Sequence, residues 1–245
     1  MYFTSKRGDR IGMQIYGILC TMFFCKKYNF IYVHTPLEEK YESIFNLGKD
    51  FKKVNELKGV HINNIGMNWG LQNMKNTNDF PEFDEEFREY FTNLFDCNIE
   101  TTKIKNKINI CIHCRRGNTY LDQGSEYKKY RFTPDSFINE VLDEIQKKYD
   151  KENANIHIYS DNTIDEKIFN KYNLNVFCHF NEDIIESLNN MIKCDILFRY
   201  GISAFSGICA LYNKNLVFSD IQDEYKKLYC FNNIKPIADF ATSNI

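Results

Sequence analysis

Residues 108–120 read INICIHCRRGNTY, an apolar run that stops on His113-Cys114-Arg115-Arg116-Gly117-Asn118. A guanidinium at the end of a buried strand is costly unless an anion meets it, and its forked donors match phosphate oxygens. Two more polar clusters follow apolar runs in the same half of the chain. Ser160-Asp161-Asn162 closes NIHIYS and supplies short side chains able to contact a ribose or a base. Ser203-Ala204-Phe205-Ser206-Gly207 places hydroxyls and free backbone N–H groups at a predicted helix start, where anions bind. Taken singly, each serine cluster reads equally well as a helix cap, and the two arginines as a solvated strand end paired with acidic residues elsewhere. Three such clusters at successive strand ends point to one site for an anionic ligand.

Near the N-terminus, Gly8-Asp9-Arg10-Ile11-Gly12-Met13-Gln14 joins a first strand to a first helix. Its two glycines permit a tight turn and close approach to a ligand, although a plain strand-to-helix turn has the same appearance. It is neither the dinucleotide glycine motif nor a P-loop. Cys111-Ile112-His113-Cys114 matches C-x-x-C. On a strand, residues three apart face opposite sides, and no second pair completes a four-ligand set. No metal and no cofactor are therefore expected.

Alternating strands and helices must position these residues. Strands are predicted over 2–5, 29–34 and 59–63, with helices over 11–27 and 83–95. The apolar positions of the first helix are Ile11, Ile15, Ile18, Leu19, Met22 and Phe23. The second half reads as strands at 108–114, 155–160, 174–178, 195–200 and 216–219. Helices between them are predicted from Thr133-Pro134-Asp135 onward, over 165–172, over 182–193 and over 203–212. The first of these opens on a Thr133 cap and turns Ile138, Val141, Leu142, Ile145 and Tyr149 inward. This alternation specifies βαβ units and parallel sheets. The charged stretch 98–107 marks the break between two α/β halves facing across a cleft, so the expected domains are 1–103 and 104–245.

Composition narrows the partners. With a net charge of −2, the chain has no overall pull toward nucleic acid or an anionic membrane, so any anion must be held locally. Nine cysteines, several inside apolar runs, read as buried free thiols in a reducing compartment. No signal-peptide core or membrane-spanning window is present, and a cytoplasmic location is expected.

The order Arg10-Ile-Gly-Met-Gln14, His113-x-Arg-Arg-Gly, Ser160-Asp-Asn and Ser203-Ala-Phe-Ser resembles the fucosyltransferase superfamily, which includes the α-1,2- and α-1,6-fucosyltransferases and the protein O-fucosyltransferases. In that family a Gly-x-Gly-Asn-Gln-type loop opens the acceptor-side domain. Motifs like His-x-Arg-Arg-Gly-Asp-Tyr, Ser-Asp-Asp and Ser-Ser-Phe-Ser line the GDP-fucose pocket. The resemblance implies a GT-B fold of two facing Rossmann-like domains, the first on the acceptor side and the second binding the sugar nucleotide. It implies inverting, metal-independent transfer, with fucose from GDP-fucose passing to a glycan hydroxyl. A xylose or rhamnose donor, or a non-catalytic nucleotide or glycan binder, are the alternatives.

By resemblance, Arg115 contacts the donor diphosphate and stabilises the charge of departing GDP, while His113 and Arg116 shape its pocket. Asp161 and Asn162, with Ser160, face the nucleoside. Ser203, Ala204, Phe205 and Ser206 hold phosphate and guanosine, and Arg10, Gly12 and Gln14 approach the donor from the first domain. Asn118 stands where the family has Asp, with Thr119 inserted before Tyr120, and Asn162 replaces the second Asp of Ser-Asp-Asp. Asp122 and Glu126 are the candidate catalytic bases, with Glu38 and Glu39 as alternatives.

Overall fold

The computed structural model of the chain describes residues 1–65, 83–101, 106–117, 131–220 and 234–243. The chain divides into two compact units, whose described residues fall within Met1–Asn98 for the first and within Ile99–Lys226 and Asn233–Ile245 for the second. Both are α/β, and each has its own parallel sheet. None of the described helices is long and apolar enough to cross a membrane.

In the first unit the strands β1 (Tyr2–Thr4), β2 (Ile31–Tyr32) and β3 (Ile62–Asn64) form a sheet in the order β2-β1-β3. Helix α1 (Ile11–Tyr28) links β1 to β2 and is buried well beyond the expected stripe, at Tyr16, Cys20, Thr21 and Cys25 as well. It ends because Asn29 turns left-handed (φ 54°) and its N–H caps the carbonyls of Cys25 and Lys26. That cap uses the first residue expected in the strand 29–34, and β2 is correspondingly short. His34 makes only an isolated bridge to Lys53. Its ring instead joins Tyr32 Oη and Glu42 Oε2, each at 3.0 Å. Glu42 lies on α2 (Glu39–Phe45), a helix not foreseen from the sequence. Helix α3 (Glu85–Leu94) starts at Asp84, whose side chain accepts from Phe87 N–H at 2.7 Å.

The second unit contains β4 (Ile108–Cys114), α4 (Asp135–Lys148), β5 (Ala154–Ser160), β6 (Asn175–Phe180), α5 (Ile184–Lys193), β7 (Ile196–Tyr200), α6 (Ala204–Tyr212), β8 (Leu216–Asp220), β9 (Ile234–Pro236) and α7 (Ile237–Thr242). The sheet order is β6-β5-β4-β7-β8-β9, all parallel. Ile110, Ile112 and Cys114 of β4 join Ile156, Ile158, Phe198 and Phe218 in one core with the apolar face of α4 and with Phe240 of α7. Asn109, Cys111 and His113 alternate to the other face, where Cys111 Sγ–H donates to Asn190 O on α5 and the His113 ring meets Phe205 on α6. Cys111 and Cys114 thus lie on opposite faces, as strand geometry demands. All eight described cysteines are free.

Two local expectations are corrected. Residues 165–172 form only a single 3₁₀ turn, Glu166–Phe169. Eight residues containing Asn170 are a poor isolated helix, and Tyr172 Oη donates to Asn139 of α4 (3.0 Å to Oδ1), drawing the segment across that helix. Pro134, not Thr133, occupies the cap of α4 and makes no side-chain cap bond. Thr133 is engaged elsewhere, as described below.

Helix α5 has the best-formed cap of the second unit. Asp183 Oδ1 accepts from Ile185 N–H at 2.8 Å and Glu186 N–H at 3.2 Å. Asp183→Ala is expected to cost about 1 kcal/mol in denaturant unfolding with an unchanged m-value.

Candidate functional site

The strand order carries the first piece of the site. From β4 the chain moves outward through β5 to β6, then returns across the sheet to β7 on the other side of β4 and proceeds outward through β8 to β9. The carboxyl ends of β4 and β7 therefore flank a topological switch point, where open α/β sheets leave a crevice for a ligand. Arg115–Gly117 follow β4, Ser160–Asn162 close and follow β5, and Gly201–Ser206 follow β7. All three predicted clusters of the second half meet there.

Each turn is fastened to its neighbour. Arg115 N–H donates to Thr133 Oγ1 at 2.9 Å, and Thr133 N–H returns a bond to Arg115 O at 3.0 Å. Asp161 Oδ1 accepts from both Arg116 N–H and Gly117 N–H, each at 2.7 Å. This contact explains the glycine: a Cβ on Gly117 would lie 2.2 Å from Asp161 Oδ2. Partial burial tends to raise the Asp161 carboxyl, yet the two backbone N–H groups and the nearby Arg115 hold it below its ordinary value.

The two arginines have different partners. The Arg116 guanidinium is ion-paired with Asp135 in the first turn of α4 and lies 4.7 Å from the centroid of the Phe132 ring. Arg115 is half-buried, and its charge acts on both His113 and Asp161. His113 is buried, its ring centroid 5.7 Å from that of Phe205. Burial pushes its imidazole down to about 3, with Arg115 and Arg199 adding to the effect and Asp161 opposing it. At neutral pH it is an uncharged ring and a weak proton acceptor, suited to hydrogen bonding rather than to general-base work.

Ser160 Oγ accepts from Asn162 N–H at 3.2 Å and Asn162 Oδ1 accepts from Thr163 N–H at 2.9 Å, so both shape the turn after β5. In the third cluster, Gly201 adopts φ +51°, a left-handed geometry that favours glycine and turns the chain into α6. Ser203 caps α6 through its backbone, Ala204 starts the helix, and Ser206 is fully buried in the first turn. Ser203 Oγ is buried and has no hydrogen-bond partner among the described residues. The first amides of α6 add the partial positive charge of a helix N-terminus.

Arg10, Gly12 and Gln14 belong to the first unit. Arg10 is exposed and caps α1, its carbonyl accepting from Met13 and Gln14 N–H, while Gly12 is buried in the first turn. Gln14 Nε2 donates to Asp9 O at 2.5 Å, and Asp9 is bound by Arg7 through Nε at 2.9 Å. Glu38 caps α2 and Glu39 begins it. Asn118, Asp122 and Glu126 lie outside the described residues.

Sequence reasoning missed two residues. Arg199 is fully buried within ILFRY, and an arginine inside an apolar strand was the available signal. Asp220 ends β8, and burial by its surroundings raises its carboxyl, a property useful in a proton acceptor. Nothing in the one-dimensional pattern placed β8 next to β7.

No family model matches the chain, and no curated protein matches it. Among solved structures, it is similar to POFUT1 in complex with GDP-fucose, with a TM-score of 0.52 and 12% identity over 87% of this chain and 93% of that one. It is also similar to the bacterial iron-containing dodecameric glycosyltransferase TibC from enterotoxigenic E. coli H10407, with a TM-score of 0.50 and 9% identity over 89% of this chain and 57% of that one. The chain shares the α/β fold of these two solved structures, and at these identities the likeness is one of fold.

The Asp161 clamp has a signed pH dependence. Its depressed carboxyl stabilises the fold fully above the ordinary carboxylate value, about 4, and that contribution is lost as pH falls through the lower folded value. The stability gap between the wild type and Asp161→Asn is therefore expected to be constant near neutral pH and to close below about pH 4. Urea unfolding from pH 7 to 3 measures it. Gly117→Ala, which collides with the same carboxylate, is expected to destabilise by roughly 1–3 kcal/mol.

Proposed function

We propose that the chain is an inverting, metal-independent glycosyltransferase that moves fucose from GDP-fucose to a hydroxyl of a glycan. One observation carries this reading. A half-buried arginine and the N-terminus of a helix stand at the strand ends on either side of the switch point, the place and charge a nucleotide diphosphate requires. The fold likeness to a structure holding GDP-fucose supports the choice of donor class.

In the proposed reaction the acceptor oxygen attacks the anomeric carbon from the face opposite the diphosphate. The bond from that carbon to the β-phosphate oxygen breaks, and the configuration inverts. Negative charge grows on the departing GDP, where Arg115, the α6 amides and Ser203 Oγ offer preorganised donors. Removing one such donor from a reacting oxyanion typically costs about 3–4 kcal/mol. His113 serves as a neutral hydrogen-bonding wall. The hydroxyl proton passes to a carboxylate, for which Asp122 and Glu126 remain the candidates. The protein is proposed to act in the cytoplasm.

Two measurements test the reading. In a thermal-shift panel of GDP, UDP, CDP and dTDP, GDP is expected to stabilise most, by about 2.7 kcal/mol at 100 times its dissociation constant. A preference for another nucleotide would move the assignment to a different sugar donor, and the product mass would identify it. Arg115→Ala is expected to abolish transfer and GDP binding with the melting temperature retained; wild-type turnover in this variant would refute the role of Arg115.

A further inference from the structure

Tyr159, His113, Arg199 and Ser219 are register partners across β5, β4, β7 and β8. Each is the penultimate residue of its strand, so they form one row directly beneath the strand ends. All four are buried, with exposures of 2%, 6%, 0% and 5% in that order. The interior strands of a parallel sheet are normally apolar on both faces, and a polar row in that position calls for a use.

Arg199 is the centre of the row. Its guanidinium holds two positions of the turn that leads into α6 and one in the first turn of that helix: Nη2 donates to Gly201 O at 3.1 Å and Ser203 O at 3.3 Å, and Nε donates to Ser206 Oγ at 3.3 Å. A planar fork can satisfy these acceptors together and fix the turn rigidly. Around it, His113 Nδ1, Ser203 Oγ and Ser219 Oγ are buried and have no hydrogen-bond partner among the described residues. Buried polar atoms in native proteins are almost always satisfied, by ordered water or by a ligand.

We propose that Arg199 is a positioning residue of the donor site, its fork setting the Ser203–Ser206 turn so that the Ser203 hydroxyl and the first amides of α6 receive the diphosphate. This rests on the nucleotide-sugar reading above and adds a residue that acts through the turn without touching the donor. A merely architectural arginine would affect stability alone. A positioning arginine affects ligand affinity in molecules that remain folded.

The test titrates GDP calorimetrically into the full chain, well below the melting temperature, for the wild type, Arg199→Lys and Ser206→Ala. Lysine keeps the charge but cannot hold all three acceptors in one plane, and the GDP dissociation constant is expected to rise about tenfold, the scale of one lost charge-assisted hydrogen bond. Ser206→Ala removes one arm of the fork and is expected to weaken GDP several-fold while melting close to the wild type. Unchanged GDP affinity in a folded Arg199→Lys, whatever its melting temperature, overturns the proposal. If Arg199→Lys fails to fold, unchanged affinity in Ser206→Ala overturns it instead. A wild type that binds no GDP overturns the nucleotide reading itself, an outcome distinguishable from variants that bind as well as a competent wild type.

Discussion

The carboxylate of Asp161 reaches from the end of β5 to two consecutive backbone N–H groups after β4. That single contact sets the path of the chain at the centre of the second sheet. Without it, the amides of Arg116 and Gly117 would lose the acceptor that fixes the turn after a buried strand. The contact also dictates composition: with Asp161 in place, only glycine fits at 117. Thr133 completes the fastening from the far side by trading two hydrogen bonds with Arg115.

With the turn held, the charges divide their work. Arg116 joins Asp135 at the N-terminus of α4 and stacks on Phe132, locking the entry to that helix. Arg115, one residue earlier on the alternating chain, acts on His113 and Asp161 at the mouth of the sheet. His113 is kept neutral by burial beside two cations, so its imidazole adds no charge to the site at physiological pH. Arg199 imposes the same discipline on the turn after β7. The two turns flanking the switch point are thus both anchored by side chains, Asp161 and Thr133 for the first and Arg199 for the second, which suits a site whose charged ligand must be met by donors already in place.

Much of this organisation was legible in one dimension. INICIHC became β4 residue for residue, because a short run of alternating isoleucines bounded by charged residues fits a buried strand of a parallel sheet. The spacing of Ile138, Val141, Leu142 and Ile145 specified the buried face of α4, and all four have no exposed surface. Legibility failed where a residue's partner lies far along the chain. Thr133 carries the chemistry of a helix cap, but the amide of Arg115 competes for its hydroxyl. Residues 165–172 have a helical pattern that Tyr172, tied to Asn139, does not allow to propagate. Helix α2 was hidden because its stabilising contact, Glu42 to His34, joins side chains eight residues apart.

Local patterns of apolar spacing, caps and strand-ending charges suffice for the α/β class, for most elements of the second half and for the identity of its three polar clusters, since these depend on residues within a few positions of one another. The order of strands does not follow from such patterns. Which cluster stands beside which and why residue 117 lacks a side chain are set by parallel pairing between segments some 40 to 90 residues apart. Those contacts come into being only when the sheet closes its hydrogen-bond ladders and buries both faces at once.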